Sequence, residues 1–255
     1  MWWGWCIVTL RSTRLVHKLV QLLLTTKLDV NRQVHTKNLC SSIRLCPEVY
    51  MYIVRSLRKI GYYVHARILN TADFGVAHRR RRLYVIAIRK DSLARPFRWP
   101  DTESFPAAKL RALLDPPVPT DSAGRLPDNP RSKKLAVYAF NAARKKNVDP
   151  LRTPVSVDID CSYTYQSYGV NTMNCLTAAR GAAGGPWIST RGRRTTLNEL
   201  VRCQGLKPSD VAWEHSGVSQ TEMGRMLGNS MSVNVCIPVL REALWSAGLT
   251  SKLLS

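Results

Sequence analysis

The feature that most constrains the fold is an unbroken apolar run over residues 83–88, which directly follows four arginines at 79–82. A short run rich in β-branched residues is typical of a strand buried on both faces. Upstream, residues 62–69 alternate between apolar and polar side chains, which predicts a second strand. Before it, residues 47–60 show helical spacing and end at Gly61, a common helix terminator. The chain is therefore predicted to have an α/β core.

The sequence divides into four segments of different texture. Residues 1–46 are atypical and show no coherent pattern, 47–90 form part of the α/β domain, and 91–192 are a small, loop-rich, proline-rich insert. Residues 193–255 are regular again. Capping boxes predict helix starts at Thr196 and at Ser219. The remaining predicted elements are a helix over 133–146, a strand over 155–159 and a closing helix over 230–245.

The charge of the chain indicates a polyanionic partner. There are 38 Lys and Arg against 17 Asp and Glu, a formal net charge of +21, and the hydrophobic fraction of 45% is enough for a sizeable core. Basic side chains that neutralise phosphates release counterions, so nucleic acid is the expected partner.

The apolar start is too short to span a bilayer, so no membrane partner is expected. The seven cysteines and five histidines have no metal-ligand spacing, so no metal site is predicted.

Three segments carry a resemblance to a known family. The first is GYYVHARILNTADFGVAHRRRRLYVIAIR at 61–89, the second is RRTTLNELVRCQGL at 193–206, and the third is Gly-Asn-Ser at 228–230. In this order, and separated by a variable region, they resemble the DNA cytosine-5 methyltransferases over residues 47–255. The resemblance implies part of a Rossmann-like, S-adenosylmethionine-dependent methyltransferase sheet with a small, loop-rich target recognition domain. It also implies double-stranded DNA as the substrate.

The resemblance assigns expected roles to single residues. Arg80 would hold the DNA backbone and Arg82 would contact the flipped target cytosine, because guanidiniums on a strand end offer fixed donors. His78 replaces the usual glutamine and could still donate to a phosphate. The alternative for these arginines is a solvated basic turn. Thr177 and Arg180 are candidate DNA contacts, or else part of a flexible surface loop.

Two further sets of residues come from the later motifs. Asn229 and Ser230 are expected at a helix start, where they would complete the pocket for S-adenosyl-L-methionine; simple N-capping by Ser230 is the alternative. The second segment is expected to organise the recognition domain without doing chemistry. Its family positions are Arg193, Thr196, Glu199, Arg202, Gln204 and Gly205.

The catalytic motifs of the family are missing from these 255 residues. There is no Phe-x-Gly-x-Gly loop, no Pro-Cys nucleophile and no Glu-Asn-Val acid, and Cys203 falls inside a predicted helix as buried structure. We therefore expect no methyl transfer by this chain alone.

Three explanations compete for this gap. The first is truncation, with residues 1–46 not native coding sequence, and the abrupt change near Cys46 favours it. The second is a split enzyme that docks on a complementary amino-terminal half, and the third is a non-catalytic DNA-binding remnant. An RNA cytosine methyltransferase of the same architecture is a further alternative. The expected location is the nucleus in a eukaryote and the cytoplasm otherwise.

Overall fold

The computed structural model describes residues 5–9, 20–25, 47–211, 213 and 216–250, with the backbone alone for the first two ranges. Apart from those two strands, the atypical segment predicted over 1–46 lies outside the described residues. The chain forms two compact units. The first comprises Met1–Asn70, Arg81–Thr102 and Val235–Ser255, and the second Thr71–Arg80 and Glu103–Asn234. The boundaries predicted from the sequence lie at 47, 91 and 193. In the structure, residues 193–234 belong to the same unit as most of the insert.

The first unit is built on an antiparallel four-stranded sheet. Its strands are β1 (Trp5–Thr9), β2 (Val20–Thr25), β3 (Tyr62–Asn70) and β4 (Arg81–Arg89), in the order β1-β2-β4-β3. Leu83 to Ile88 are each at most 3% exposed, which confirms the predicted strand buried on both faces. The alternating segment is confirmed as β3, which pairs with β4 from Tyr62↔Arg89 to Asn70↔Arg81.

A helix packs on this sheet. The predicted helix near 47–60 is confirmed as α1 (Pro47–Lys59), with Glu48 in its first turn and Arg58 and Lys59 in its last, where each charge suits the helix dipole. Leu57 packs against the face of β4 that carries Leu83, Val85 and Ala87.

The second unit contains a smaller antiparallel sheet. Its strands are β5 (Val155–Val157), β6 (Tyr168–Val170), β7 (Trp187–Ile188) and β8 (Arg193–Arg194), in the order β6-β5-β7-β8. Helix α2 (Pro130–Arg144) packs on β5 through Ala139, Phe140 and Ala143. It begins one turn earlier than predicted, because the Asn129 side chain accepts from the Arg131 and Ser132 amides and Pro130 fits the first helical position.

Three further helices complete the second unit, and a fourth leaves it. They are α3 (Ala178–Ala182), α4 (Leu197–Cys203), α5 (Gln220–Asn229) and α6 (Val233–Ser246), of which α6 belongs to the first unit from Val235 onward. Both predicted capping boxes are confirmed, Thr196 with Glu199 on α4 and Ser219 with Glu222 on α5. The mixed α/β class is confirmed, and among the described helices none is long and apolar enough to cross a membrane.

Helices α3 and α5 approach each other backbone to backbone. A Cβ on Gly224 would lie 2.1 Å from the Gly181 carbonyl oxygen, and one on Gly228 would lie 2.2 Å from the Thr177 carbonyl oxygen. Both distances are far inside van der Waals contact, so only glycine fits at these positions of α5. The end of the insert and the Gly-Asn-Ser turn are thus packed directly together within the second unit.

Candidate functional site

His78 lies at the centre of the second unit and is fully buried. Its Nε2 accepts from the Leu176 amide at 3.1 Å, so its Nδ1 carries the proton and donates to the Cys203 carbonyl at 2.9 Å. A glutamine amide also offers one acceptor and one donor, so the glutamine expected here from the resemblance could make the same two bonds. Both ring nitrogens of His78 are bonded inside the protein, and its DNA contact stays a prediction.

Arg80 is also buried, at 2% exposure. Its guanidinium donates to the carbonyls of Leu176, Gly228 and Ser230, the Gly228 bond measuring 3.2 Å. The last two carbonyls lie at the carboxyl end of α5, where the negative end of the helix dipole favours a cation. In the structure this side chain ties the insert to the Gly-Asn-Ser turn, and its predicted contact with the DNA backbone stays a prediction.

A series of buried side-chain hydrogen bonds connects Thr71, the motif at 193–206 and the end of α5. Gln204 Nε2 donates to the Leu227 carbonyl at 2.8 Å, and Ser232 Oγ donates to Gln204 Oε1 at 3.3 Å. Ser232 Oγ is also 2.7 Å from Thr71 Oγ1, within hydrogen-bond distance. Because a buried polar group without a hydrogen bond destabilises the folded state, this series of hydrogen bonds fixes the position of α5 against the segment 71–80.

Glu199 organises the second motif and is fully buried. Its carboxylate accepts from the Thr196 amide at 2.9 Å, which closes the capping box, and from the Asp115 amide at 3.0 Å. Arg193 reaches both carboxylate oxygens, at 3.1 and 3.2 Å. Its Nε also donates to Asp121 at 2.9 Å. A buried carboxylate with this many donors is compensated, so it holds β8, α4 and the proline-rich loop together.

Asp115 is the acidic partner on the other side of α4. Arg202 donates to its Oδ1 at 2.7 Å, and the Thr196 hydroxyl donates to its Oδ2 at 2.5 Å. Burial acts to raise the pKa of Asp115, but these two hydrogen bonds and the guanidinium charge outweigh it and hold the pKa below its ordinary value. Burial likewise acts to lower the pKa of Arg193, and its bonds to Glu199 reverse that effect and raise it.

Gly205 ends this motif for a steric reason. Its φ is +74°, a conformation that favours glycine, and a Cβ there would lie 1.8 Å from the Asn234 side-chain oxygen. The motif residues from Arg193 to Gly205 therefore lie in one connected structural network of the second unit.

Thr177 and Arg180 lie at the short helix α3. Thr177 is its N-cap and accepts from the Arg180 amide at 3.4 Å. The Arg180 Nε donates to Asp158 at 2.8 Å, and the two side chains are 30% and 15% exposed. Both residues thus have local partners in the unit, and their DNA contacts stay a prediction.

The Asn229–Ser230 turn differs from its prediction. Asn229 is the last residue of α5 and Ser230 is its C-cap, whose hydroxyl donates to the Leu227 carbonyl at 2.7 Å; the next helix begins only at Val233. A helix end presents carbonyls and negative dipole, so it does not suit the carboxylate of S-adenosyl-L-methionine as a helix start would. Of the pair, exposed Asn229 retains an accessible amide, and its contact with the cofactor stays a prediction.

Arg82 lies on β4 in the first unit and is partly exposed. Its Nη1 donates to the Arg81 carbonyl at 2.8 Å. The exposure alternates along this segment, since Arg79 and Arg81 are exposed while Arg80 is buried. The contact of Arg82 with a target cytosine stays a prediction.

Neither Cys161 nor Cys203 has the lowered thiol pKa of an activated nucleophile that could replace the missing Pro-Cys. Cys203 is fully buried on α4, and burial raises the pKa of its thiol well above the ordinary value. Burial also raises the pKa of Cys161. No cluster of metal-ligating side chains occurs within the described ranges. Cys203 is buried structure, as predicted.

Sequence reasoning missed three partners of these networks, Asp115, Asp121 and Ser232. The two aspartates lie in a proline-rich loop that was interpreted only as a connection. The adjacent basic motif at 193–202 was the one available signal, because several arginines close to one another in sequence require counter-charges. Ser232 was included in a predicted helix, and nothing local in the sequence marks it as buried.

Comparisons with known proteins agree with these motifs. A family model described as C-5 cytosine-specific DNA methylase matches residues 44–245. The Type II methyltransferase M.NgoBI of Neisseria gonorrhoeae is 25% identical over 189 residues, which is 73% of this chain and 52% of that protein. M.NlaIV of Neisseria lactamica is 34% identical over 71 residues, 28% of this chain and 16% of that protein.

A solved structure supports the fold. The Entamoeba histolytica methyltransferase EhMeth superposes with a TM-score of 0.50 and 18% identity over 80% of this chain and 59% of that one. This chain spans about half the length of M.NgoBI. Since the family model matches well over half of the residues, the chain belongs to the C-5 cytosine-specific DNA methylase family.

Proposed function

We propose that this protein acts in the transfer of a methyl group from S-adenosyl-L-methionine to C5 of cytosine in double-stranded DNA. The observation that carries the proposal is the buried junction of His78 and Arg80 with the insert and the Gly-Asn-Ser turn. Within the second unit it joins residues 71–80 of the first segment to Cys203 of the second segment and to Gly228 of the third. The formal net charge of +21 supports a polyanionic substrate.

The described residues suit the binding part of this reaction. Methylation at C5 needs a nucleophilic thiolate, an acid near N3 and a base that has left the duplex. S-adenosyl-L-methionine supplies the methyl group when bound. In our proposal Arg82 donates from its guanidinium to the displaced cytosine, and the second unit, ordered by Arg80 and Glu199, presents the insert to DNA.

The thiolate and the acid have no counterpart in the printed sequence. None of the 14 prolines precedes a cysteine, and Glu-Asn-Val does not occur. This observation favours a second candidate, a DNA-binding protein that performs no chemistry alone or that works with a complementary amino-terminal half. Docking of such a half supplies the thiolate and the acid in trans.

The experiment measures incorporation of labelled methyl groups into cytosine-containing duplexes. The purified 255-residue chain is assayed alone and mixed with the amino-terminal half of a related enzyme that carries Pro-Cys and Glu-Asn-Val. We expect turnover only in the mixture, and none when the nucleophilic Cys of that half is replaced by Ser. Duplex binding without turnover in any mixture supports the non-catalytic candidate, and preference for folded RNA over duplex DNA contradicts both.

The role of Arg82 is tested in the active mixture. We expect Arg82→Ala to lower turnover about 100-fold while duplex affinity changes little, because a donor to the reacting base acts mainly in the transition state. Arg81→Ala, an exposed neighbour on the same strand, is the matched control and should retain turnover. Equal, modest losses of affinity and turnover for Arg82→Ala would show that it is only a phosphate contact.

A further inference from the structure

Helix α2 carries a strongly basic outer surface that none of the family motifs includes. No Asp or Glu occurs from 129 to 148, whereas six Lys and Arg do. All six are exposed: Arg131, Lys133, Lys134, Arg144, Lys145 and Lys146. We name these six residues the α2 basic face.

The apolar side of α2 is already used inside the second unit. Leu135, Ala136, Ala139, Phe140 and Ala143 are at most 4% exposed and pack into the unit. The opposite side, with the basic face, therefore points to solvent. Because the apolar side of α2 is buried in its own domain, it cannot insert into a lipid surface. The exposed charges are therefore the part of this helix that a partner would contact.

Three of the six charges of the basic face are held by neutral partners. The Arg131 guanidinium donates to the Cys161 carbonyl at 3.2 Å, and Arg144 donates to the Asn141 side-chain oxygen at 3.2 Å. The Lys146 ammonium lies 5.4 Å from the centre of the Tyr168 ring. Among the ion pairs of the described residues, none includes a member of the α2 basic face. Fixed cations with neutral partners keep their charge for an external anion.

The charges also fall into two clusters with an uncharged middle. The first is at residues 131–134 and the second at 144–146, and between them the exposed residues are Val137, Tyr138 and Asn141. Lys133 and Arg144 are eleven residues apart, which at 1.5 Å per residue is about 16 Å. This spacing is close to the roughly 12 Å width of the major groove together with the phosphates that border it.

We propose that the α2 basic face is a duplex-DNA anchor that contacts phosphates of both strands across a groove, independently of base sequence. A surface groove of about 360 Å³ beside the first cluster, lined by Pro130, Arg131, Lys134 and Tyr163, gives room for the sugar–phosphate chain. This inference rests on the proposed function, because it assumes a DNA substrate. It adds a site outside the residues that recognise the target base.

The test compares two fourfold variants of the full chain for duplex affinity as a function of salt. The anchor variant is Lys133→Gln, Lys134→Gln, Lys145→Gln and Lys146→Gln. The matched control removes four other exposed charges of the same unit: Lys109→Gln, Arg111→Gln, Arg152→Gln and Arg225→Gln. The probes are 30-base-pair duplexes of two unrelated sequences, the single strand of equal length and polyglutamate. Thermal unfolding checks that both variants fold.

Each phosphate contact contributes about 0.9 to the slope of log affinity against log salt, so the loss of four contacts should lower the slope of the anchor variant by about 3.6. Its affinity at 100 mM salt should fall about 100-fold for both duplexes, with a much smaller loss in the control. Equal losses in the two variants, tighter binding to the single strand, or equal displacement by polyglutamate would overturn the inference. No duplex binding by the unmodified chain would instead refute the proposed function itself.

Discussion

Replacement of Arg80 by alanine should destabilise the second unit strongly. The change removes three hydrogen bonds from a charged donor, and each such bond contributes about 1.5 kcal/mol or more. It also leaves the Leu176, Gly228 and Ser230 carbonyls facing a cavity where a 2%-exposed side chain had been. We expect a loss of about 4 kcal/mol in the free energy of opening this unit, roughly a thousandfold in its opening equilibrium.

The assay is amide hydrogen exchange followed by mass spectrometry, because it separates peptides of the second unit from those of the first. Arg79→Ala is the matched control, since Arg79 is the exposed neighbour in the same segment. Peptides from α3 and α5 should lose protection in Arg80→Ala and keep it in Arg79→Ala. If both variants keep native protection and Arg80→Ala alone loses DNA affinity, the structural role given to Arg80 is wrong and the DNA-backbone role is right.

The remaining predictions concern three other buried features. His78→Gln should lower the free energy of unfolding by less than about 1 kcal/mol, whereas His78→Ala should lower it by about 3 kcal/mol because two buried backbone groups lose their partners. Urea unfolding compares the two variants. Equal losses would contradict the paired donor–acceptor role of His78. Gly224→Ala should lower the free energy of unfolding by about 2 kcal/mol, although alanine has the better helix propensity, because the new Cβ would lie 2.1 Å from a carbonyl oxygen. Met226→Ala, on the exposed side of the same helix, should change the same free energy very little. The folded-state pKa of Asp115 lies below its ordinary value of 3.8, so its contribution to stability is present above that pH and is lost as the pH falls through the lower folded value. Unfolding measured from about pH 5 to about pH 3 should therefore show a smaller acid-induced loss in Asp115→Asn than in the unmodified chain, and Asp128→Asn, which removes a 92%-exposed carboxylate, should behave like the unmodified chain.

The local elements could be predicted because the information for them is local. The helical spacing before Gly61 and the two-residue period of β3 each reflect one face packed on a core. The capping boxes at Thr196 and Ser219 were equally accessible, since a hydroxyl and a glutamate three residues apart satisfy each other without distant help. These elements agree with the structure to within one or two residues.

The roles of Arg80 and His78 could not be predicted because their partners are distant in sequence. Arg80 bonds to carbonyls 96, 148 and 150 residues away, and His78 to groups 98 and 125 residues away. A basic run looks the same in sequence whether it faces solvent or is buried. The burial of Arg80, and of His78 just before the run, follows only from how the insert folds back.

The Gly-Asn-Ser motif was placed at the wrong end of a helix for a related reason. Glycine and serine are common both after one helix and before the next, so the motif alone fits either position. The capping box at Ser219 sets the start of α5, and the helix then runs for 10 residues, to Asn229.

The discontinuity of the second unit limits how its large piece can be exchanged between related genes. Its large piece, Glu103–Asn234, is held by side chains from the ten-residue piece Thr71–Arg80. Recombination that moved only the large piece into another family member would leave behind the histidine and the arginine on which it folds. Such a graft should fold only where the recipient already has a donor–acceptor side chain and an arginine at those two positions. Whether the graft folds therefore depends on the recipient protein and not on the transferred segment.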